Sequence, residues 1–140
     1  MSIEQDKKLA DRFPLEVVNQ RKLNVLDEIS APNAVEHAVP PGMPPTVEGT
    51  KIFFGMMFAA FPDLQYTVED TIGEGDRVAQ RVTAHGTMKG DFLGMPATGK
   101  SATWSEMHIL RLKDGKVVEH WGLVDQASMM TQLGLMPGPK

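Results

Sequence analysis

The segment ATWSEMHILRLKDGKVVEHWGLV, Ala102 to Val124, decides the fold. Ala102 to Leu112 has strand composition, Asp114-Gly115 is a turn dipeptide, and Lys116 to Val124 reads as the returning strand. Both strands carry apolar residues in both parities. Such a sheet is covered on both faces, most simply by helices on one side and a second copy of the chain on the other. Upstream, Leu64 to Ile72 and Arg77 to Thr87 are two more strands around a Gly73–Asp76 turn, and residues 89–100 form a Gly- and Pro-bearing loop. Before Leu64 the period is helical. Leu9, Phe13, Val17 and Val18 mark an amphipathic helix that Pro14 kinks or restarts. A short helix follows from about Leu23 to Ile29, then a short strand from Ala34 to Ala38 and a Pro40–Pro45 loop. A third helix starts at a Thr46 N-cap and stops at Pro62-Asp63. Asp125 caps a last helix reaching about Leu133, with Gly134 as its stop. Helices first and antiparallel strands after them define an α+β chain. Its 140 residues make one domain, with a core over about residues 9–134.

Composition narrows the function. There is no cysteine, which excludes a disulfide scaffold, a thiol nucleophile and Cys-ligated metals. Fourteen Lys and Arg stand against eighteen Asp and Glu, a net charge of −4, so a nucleic-acid partner is not expected. Residues 1–13 have no apolar signal core, and the longest apolar run, Ile52 to Phe61, is too short for a bilayer. A cytoplasmic protein without a membrane partner is the expectation.

Two motifs are decoys. Gly94 to Ser101 spells the phosphate-loop pattern G-x-x-x-x-G-K-[ST], but a strand-like segment follows where a helix is required, and Pro96 removes an amide from the cradle. Gly73-x-Gly75 lies between two strands and reads as a turn. His37, His85, His108 and His120 form no local metal-binding pair, so no metal or cofactor is expected.

The chemistry concentrates in the 102–124 hairpin, whose register depends on its turn. A two-residue Asp114-Gly115 loop pairs His108 with Trp121. A three-residue Lys113-Asp114-Gly115 loop, with Gly115 in a left-handed bulge, pairs His108 with His120, Glu106 with Gly122 and Trp104 with Val124. The second is preferred because glycine suits the bulge. It gathers Trp104, Glu106, His108 and His120 on one face, titratable groups beside an aromatic wall. The plainer reading satisfies one His in the core and leaves Glu106 near the solvent rim.

Several motifs in order resemble the SnoaL-like polyketide cyclase family: Phe61-Pro62-Asp63-Leu64, Gly75-Asp76-Arg77-Val78, Gly94-Met95-Pro96-x-Thr98-Gly99-Lys100, Arg111-x-x-Asp114-Gly115-Lys116 through Trp121, and Gln132-Leu133-Gly134. The resemblance spans about Leu9 to Gly134. It implies the nuclear transport factor 2-like (cystatin-like) α+β barrel, a curved antiparallel sheet wrapped around the helices with a cone-shaped pocket, and homodimers through the outer sheet face. It also implies an intramolecular aldol reaction without metal or cofactor, an Asp on the last strand as acid/base and a His on the strand before it. The His falls on His108. The Asp falls on Gly122, a departure from the pattern.

Two repairs are open. Glu106 could fill the space beside Gly122, or His108 could itself be the base, oriented by His120 or Glu106. Trp104, Phe54, Met57 and Phe58 are the candidate pocket walls, with core packing the alternative. His37 ends the short strand beside the Pro-rich loop, at the pocket mouth or on the surface. His85 has no assignable partner. The leading expectation is a cofactor-independent acid/base enzyme acting through an enolate on a small apolar or aromatic carbonyl compound, as an aldol or retro-aldol cyclase, lyase or isomerase. The alternatives are an epoxide hydrolase of the same fold, which would need two Asp flanking an Arg where this chain offers Glu106, His108 and an opposite-parity Arg111, and a non-catalytic small-molecule-binding protein.

Overall fold

The Ser2 hydroxyl accepts the Gln5 N–H while the Gln5 side chain accepts the Ser2 N–H, a capping box that starts helix α1, Ile3–Arg12. The computed structural model describes residues 2–137; Met1 and residues 138–140, the end of the chain's tail, lie outside it. At Pro14 the missing N–H cannot continue the α ladder. The chain widens into a π-helical segment, Phe13–Val18, and the Asn19 N–H closes on the Pro14 carbonyl at 3.1 Å. This is the restart that Pro14 predicts. Asn19 then pairs like a strand residue with Tyr66: its amide donates to the Tyr66 carbonyl at 2.9 Å and accepts the Tyr66 N–H at 2.7 Å.

Helix α2, Val25–Ile29, leads into β1, Ser30–Glu36. Thr46 caps α3, Val47–Ala60, as expected. Then come β2, Gln65–Glu74, β3, Arg77–Thr87, β4, Ser101–Lys113, and β5, Lys116–Val124. Asp125 accepts the Ser128 N–H and caps α4, Gln126–Gln132. The segment Gly94–Lys100 is a loop that feeds directly into β4, with no helix behind it.

The five strands form one sheet in the order β1-β5-β4-β3-β2. The expected all-antiparallel sheet needs one correction: β1 runs parallel to β5, so the sheet is mixed. A strand's direction against a partner far along the chain leaves no trace in its own residue pattern. Pro32, which cannot donate to a ladder, suits β1 to the edge it occupies.

Along β4 burial alternates strictly. Ala102, Trp104, Glu106, His108, Leu110 and Leu112 face inward. At one end of this face Ala10 of α1 packs on Val78, Leu110, Leu112 and Val117. At the other, Phe54 and Met57 of α3 and Met129 of α4 pack around Phe61 and Trp104. The helices cover this face alone; on the other, Met107 is 61% and Leu123 80% exposed.

The β4–β5 register corrects both sequence expectations. Asp114 and Gly115 both have positive φ, 51° and 74°, and Lys113 pairs with Lys116. This is the two-residue loop, not the preferred three-residue one. Past the turn Leu112 pairs with Val117 but Arg111 with Glu119, so Val118 is bulged out. The bulge shifts everything beyond it by one residue. His108 therefore faces Gly122, Glu106 faces Val124, and Leu110 faces His120. Because a one-residue shift exchanges faces, His120 turns inward and Trp121 outward.

Gly122 is required by this register. A Cβ there would lie 2.7 Å from Nδ1 of His108 and 3.3 Å from the Ala38 Cβ. It is the His108 ring, rather than Glu106, that occupies the space beside the glycine. Gly122→Ala is expected to displace His108 and lower stability by about 1–3 kcal/mol, as overpacking does, read from the urea midpoint. Asn19→Ala removes two hydrogen bonds between the π-helical segment and β2, and a loss of about 2 kcal/mol is expected in the same measurement.

Candidate active site

Strand alternation places a carboxylate and an imidazole, Glu106 and His108, at core positions of β4, where they are 3% and 8% exposed. Buried polar groups need partners, and residues of β1, β2, β4, β5 and α3 supply them. Tyr66 of β2 donates its hydroxyl to Glu106 at 3.0 Å, and the Trp104 indole donates to Glu106 at 2.8 Å. His108 Nε2 lies 2.9 Å from Glu106 Oε1. On its other side, His108 Nδ1 meets His120 Nε2 at 2.8 Å, with the two rings stacked 5.0 Å apart. His120 Nδ1 reaches Glu36 Oε1 of β1 at 2.5 Å. Glu36 also accepts the Ala38 N–H at 3.0 Å and the Thr50 hydroxyl of α3 at 3.1 Å. The result is a continuous chain, Glu106–His108–His120–Glu36, with the Phe13 ring 6.5 and 6.2 Å from the two imidazoles.

Burial and the Glu106 charge, to which its hydroxyl is bonded, hold the Tyr66 phenol well above its ordinary range, so it stays protonated and donates. Burial pushes the Glu36 carboxyl up, but the hydrogen bonds and charge of His120, with the Ala38 amide and Thr50 hydroxyl, outweigh it and leave that carboxyl below its ordinary value.

The network forms one wall of a cavity of about 350 Å³. Phe13, Phe53, Phe54, Met57, Phe92 and Trp104 supply apolar walls, and Pro40, Pro41 and Leu93 lie at its partly exposed rim. Among the described residues no Lys or Arg lines it. It is suited to a neutral, mostly apolar ligand with one reactive polar region. The imidazole nitrogens point at each other and at carboxylates, and no cluster of metal-ligating side chains converges among the described residues.

Of the residues singled out from sequence, Trp104, Glu106, His108 and His120 come together, and Phe54 and Met57 line the cavity. Phe58 does not line it; the Arg21 guanidinium sits 4.5 Å over its ring. His37 is not at the pocket either. It stacks on Trp121 with centroids 5.2 Å apart and bonds Glu119 at 2.7 Å. Arg111 bonds the same Glu119 at 3.1 Å, so the two acids flanking an arginine that epoxide chemistry needs are not assembled. His85 bonds Thr103.

Glu36, Thr50, Tyr66 and Phe13 were missed as site residues. Glu36 is adjacent to His37, and the strand's parity turns the carboxylate inward and the imidazole out. The parity of an edge strand with an irregular register is weakly encoded. Tyr66 carried a usable signal: it is the chain's only tyrosine and falls inside a strand.

The family model of the SnoaL-like polyketide cyclases matches residues 8–133. Aklanonic acid methyl ester cyclase DauD of Streptomyces sp. strain C5 is 30% identical over 118 residues, 79% of this chain and 67% of that protein. Wild-type IdmH from Streptomyces antibioticus shares 35% identity at a TM-score of 0.82, over 93% of this chain and 99% of that one. TsrD from Streptomyces laurentii shares 25% identity at a TM-score of 0.88, over 97% and 99%. The sheet wrapped on N-terminal helices, the apolar cavity between them and these matches lead to one conclusion: the chain belongs to the SnoaL-like polyketide cyclase family, with the nuclear transport factor 2-like fold.

Proposed function

We propose that the protein closes a ring in a neutral polyketide-derived ketone by an intramolecular aldol reaction, with Glu106 and His108 as the acid/base couple and His120 supporting His108. The observation that carries this is the bonded Glu106–His108 pair in the wall of an otherwise apolar cavity. An aldol closure needs one group to remove a proton α to a carbonyl and another to protonate the oxygen of the carbonyl attacked. A carboxylate and an imidazole 2.9 Å apart meet both needs. The sequence reading has His108 as the base, oriented or assisted by Glu106 or His120; because both His108 ring nitrogens are engaged, Glu106 and His108 are assigned as a couple. Trp104, Tyr66 and Phe54 enclose the site and keep water from the enolate. The reaction consumes no redox equivalent, and this chain's side chains perform its proton transfers. The similarity to DauD, an aklanonic acid methyl ester cyclase, makes aklanonic acid methyl ester the first substrate to try.

His108→Ala and Glu106→Gln are each expected to lower kcat by about 10²-fold or more while changing KM little. Product formation is followed by mass spectrometry over a panel of aromatic polyketide methyl esters. Tight binding without turnover by the unaltered protein across that panel would replace this reading with a small-molecule-binding protein.

The outer sheet face supports a homodimer. Met107, Ile109 and Leu123 project from it at 61, 43 and 80% exposure, a run of apolar side chains that a second copy would bury. Leu123→Glu is expected to convert a dimer to a monomer in sedimentation equilibrium. A protein that is monomeric before the substitution would overturn this.

A further inference from the structure

We propose that Glu36 is a positioning residue of this site: by holding the Nδ1–H of His120 it makes the two imidazoles share a single proton, so that His108 is the proton donor of the couple and Glu106 the acceptor. This rests on the acid/base reading above and adds to it a residue and a direction of proton flow.

The inference follows from counting protons. Three contacts link the chain: Glu106 to His108 at 2.9 Å, His108 to His120 at 2.8 Å, and His120 to Glu36 at 2.5 Å. Each is a hydrogen bond and needs one proton between its atoms. The remaining partners bring no acceptor that could change the count. Glu36 receives the Ala38 amide and the Thr50 hydroxyl; Glu106 receives the Trp104 indole and the Tyr66 hydroxyl, which keeps its proton. Both carboxylates are thus surrounded by donors and act as ionised acceptors. Two neutral imidazoles carry two ring protons, whereas the chain requires three. The third sits between His120 and His108, on a pair enclosed by two carboxylates. Of the other elements facing the pair, α3 contributes Thr50, the π-helical segment contributes Phe13, and β3 contributes the neutral Gln80 opposite His108, whose amide donates to Asp11 of α1 at 2.8 Å.

With the chain so loaded the aldol step closes on itself. Glu106 takes the α-proton. The enolate carbon forms the new C–C bond to the ketone carbon, whose π pair moves to oxygen. That oxygen takes the Nε2 proton of His108. The proton on Glu106 then crosses to the vacated Nε2, and the starting state returns with no net proton gained or lost. Without the Glu36 carboxylate the third proton loses the anion that holds it, and His108 loses its donor role while Glu106 remains.

The test is nitrogen-15 NMR on protein labelled at its histidine rings, in the free protein near neutral pH. His108 and His120 together are expected to show three ring N–H protons, and Glu36→Gln two. Glu36→Gln should also lower kcat about 10-fold or more with KM changed less than about 2-fold. Two N–H protons in the unaltered protein overturn the proposal whether or not the variant folds, and so does a Glu36→Gln protein that keeps three. If the NMR count holds but no substrate turns over, the shared proton stands and the cyclase reading fails. If turnover occurs with the count unaffected by Glu36, the cyclase reading stands and this one fails.

Discussion

The structure depends on burying Glu106 and His108 on the inner face of β4. A carboxylate taken out of water is costly unless donors surround it. Here the donors come from Tyr66 on β2, Trp104 two residues back on the same face, and His108 two residues on. Satisfying His108 in turn requires His120 on β5, and satisfying His120 requires Glu36 on β1. One buried charge thus recruits four of the five strands, and Thr50 adds α3. No buried side-chain nitrogen or oxygen among the described residues is left without a partner. A fully satisfied network of this kind is rigid, which is what a site for proton transfer needs.

Two backbone irregularities make that network reachable. The bulge at Val118 turns His120 to the inner face, where a regular ladder would put Trp121. The π-helical segment Phe13–Val18 sets Phe13 beside the imidazole pair and brings Asn19 onto Tyr66. Neither is a defect of the fold; each aims a side chain at the site.

The place of Gly122 gains meaning from this. The resemblance puts an acid/base aspartate there, and in this chain the His108 ring fills that space with Nδ1 toward His120. A carboxylate and an imidazole cannot both occupy it. The carboxylates enter instead from β4 and β1, as Glu106 and Glu36. The family's fold is kept, while the carboxylates bonded to the histidine pair come from β4 and β1 and not from position 122.

The order and type of elements were legible in the sequence, because hydrophobic period, caps and turn dipeptides are local signals. The Thr46 and Asp125 caps, the restart at Pro14 and strands β3 and β5 follow from a few neighbouring residues each. So does the shared face of Trp104, Glu106 and His108, since residues of one parity share a strand face; His120 joins them through the bulge at Val118 and not through the three-residue turn the sequence favoured. What the tertiary structure decided were relations between distant segments: the parallel pairing of β1, the one-residue shift at Val118, and the inward turn of Glu36 in place of His37. Each depends on which strand lies alongside and in what register. A chain whose local pattern is satisfied by more than one register leaves that choice to side chains packed from elsewhere, here the donors that bury Glu106 and its histidine pair.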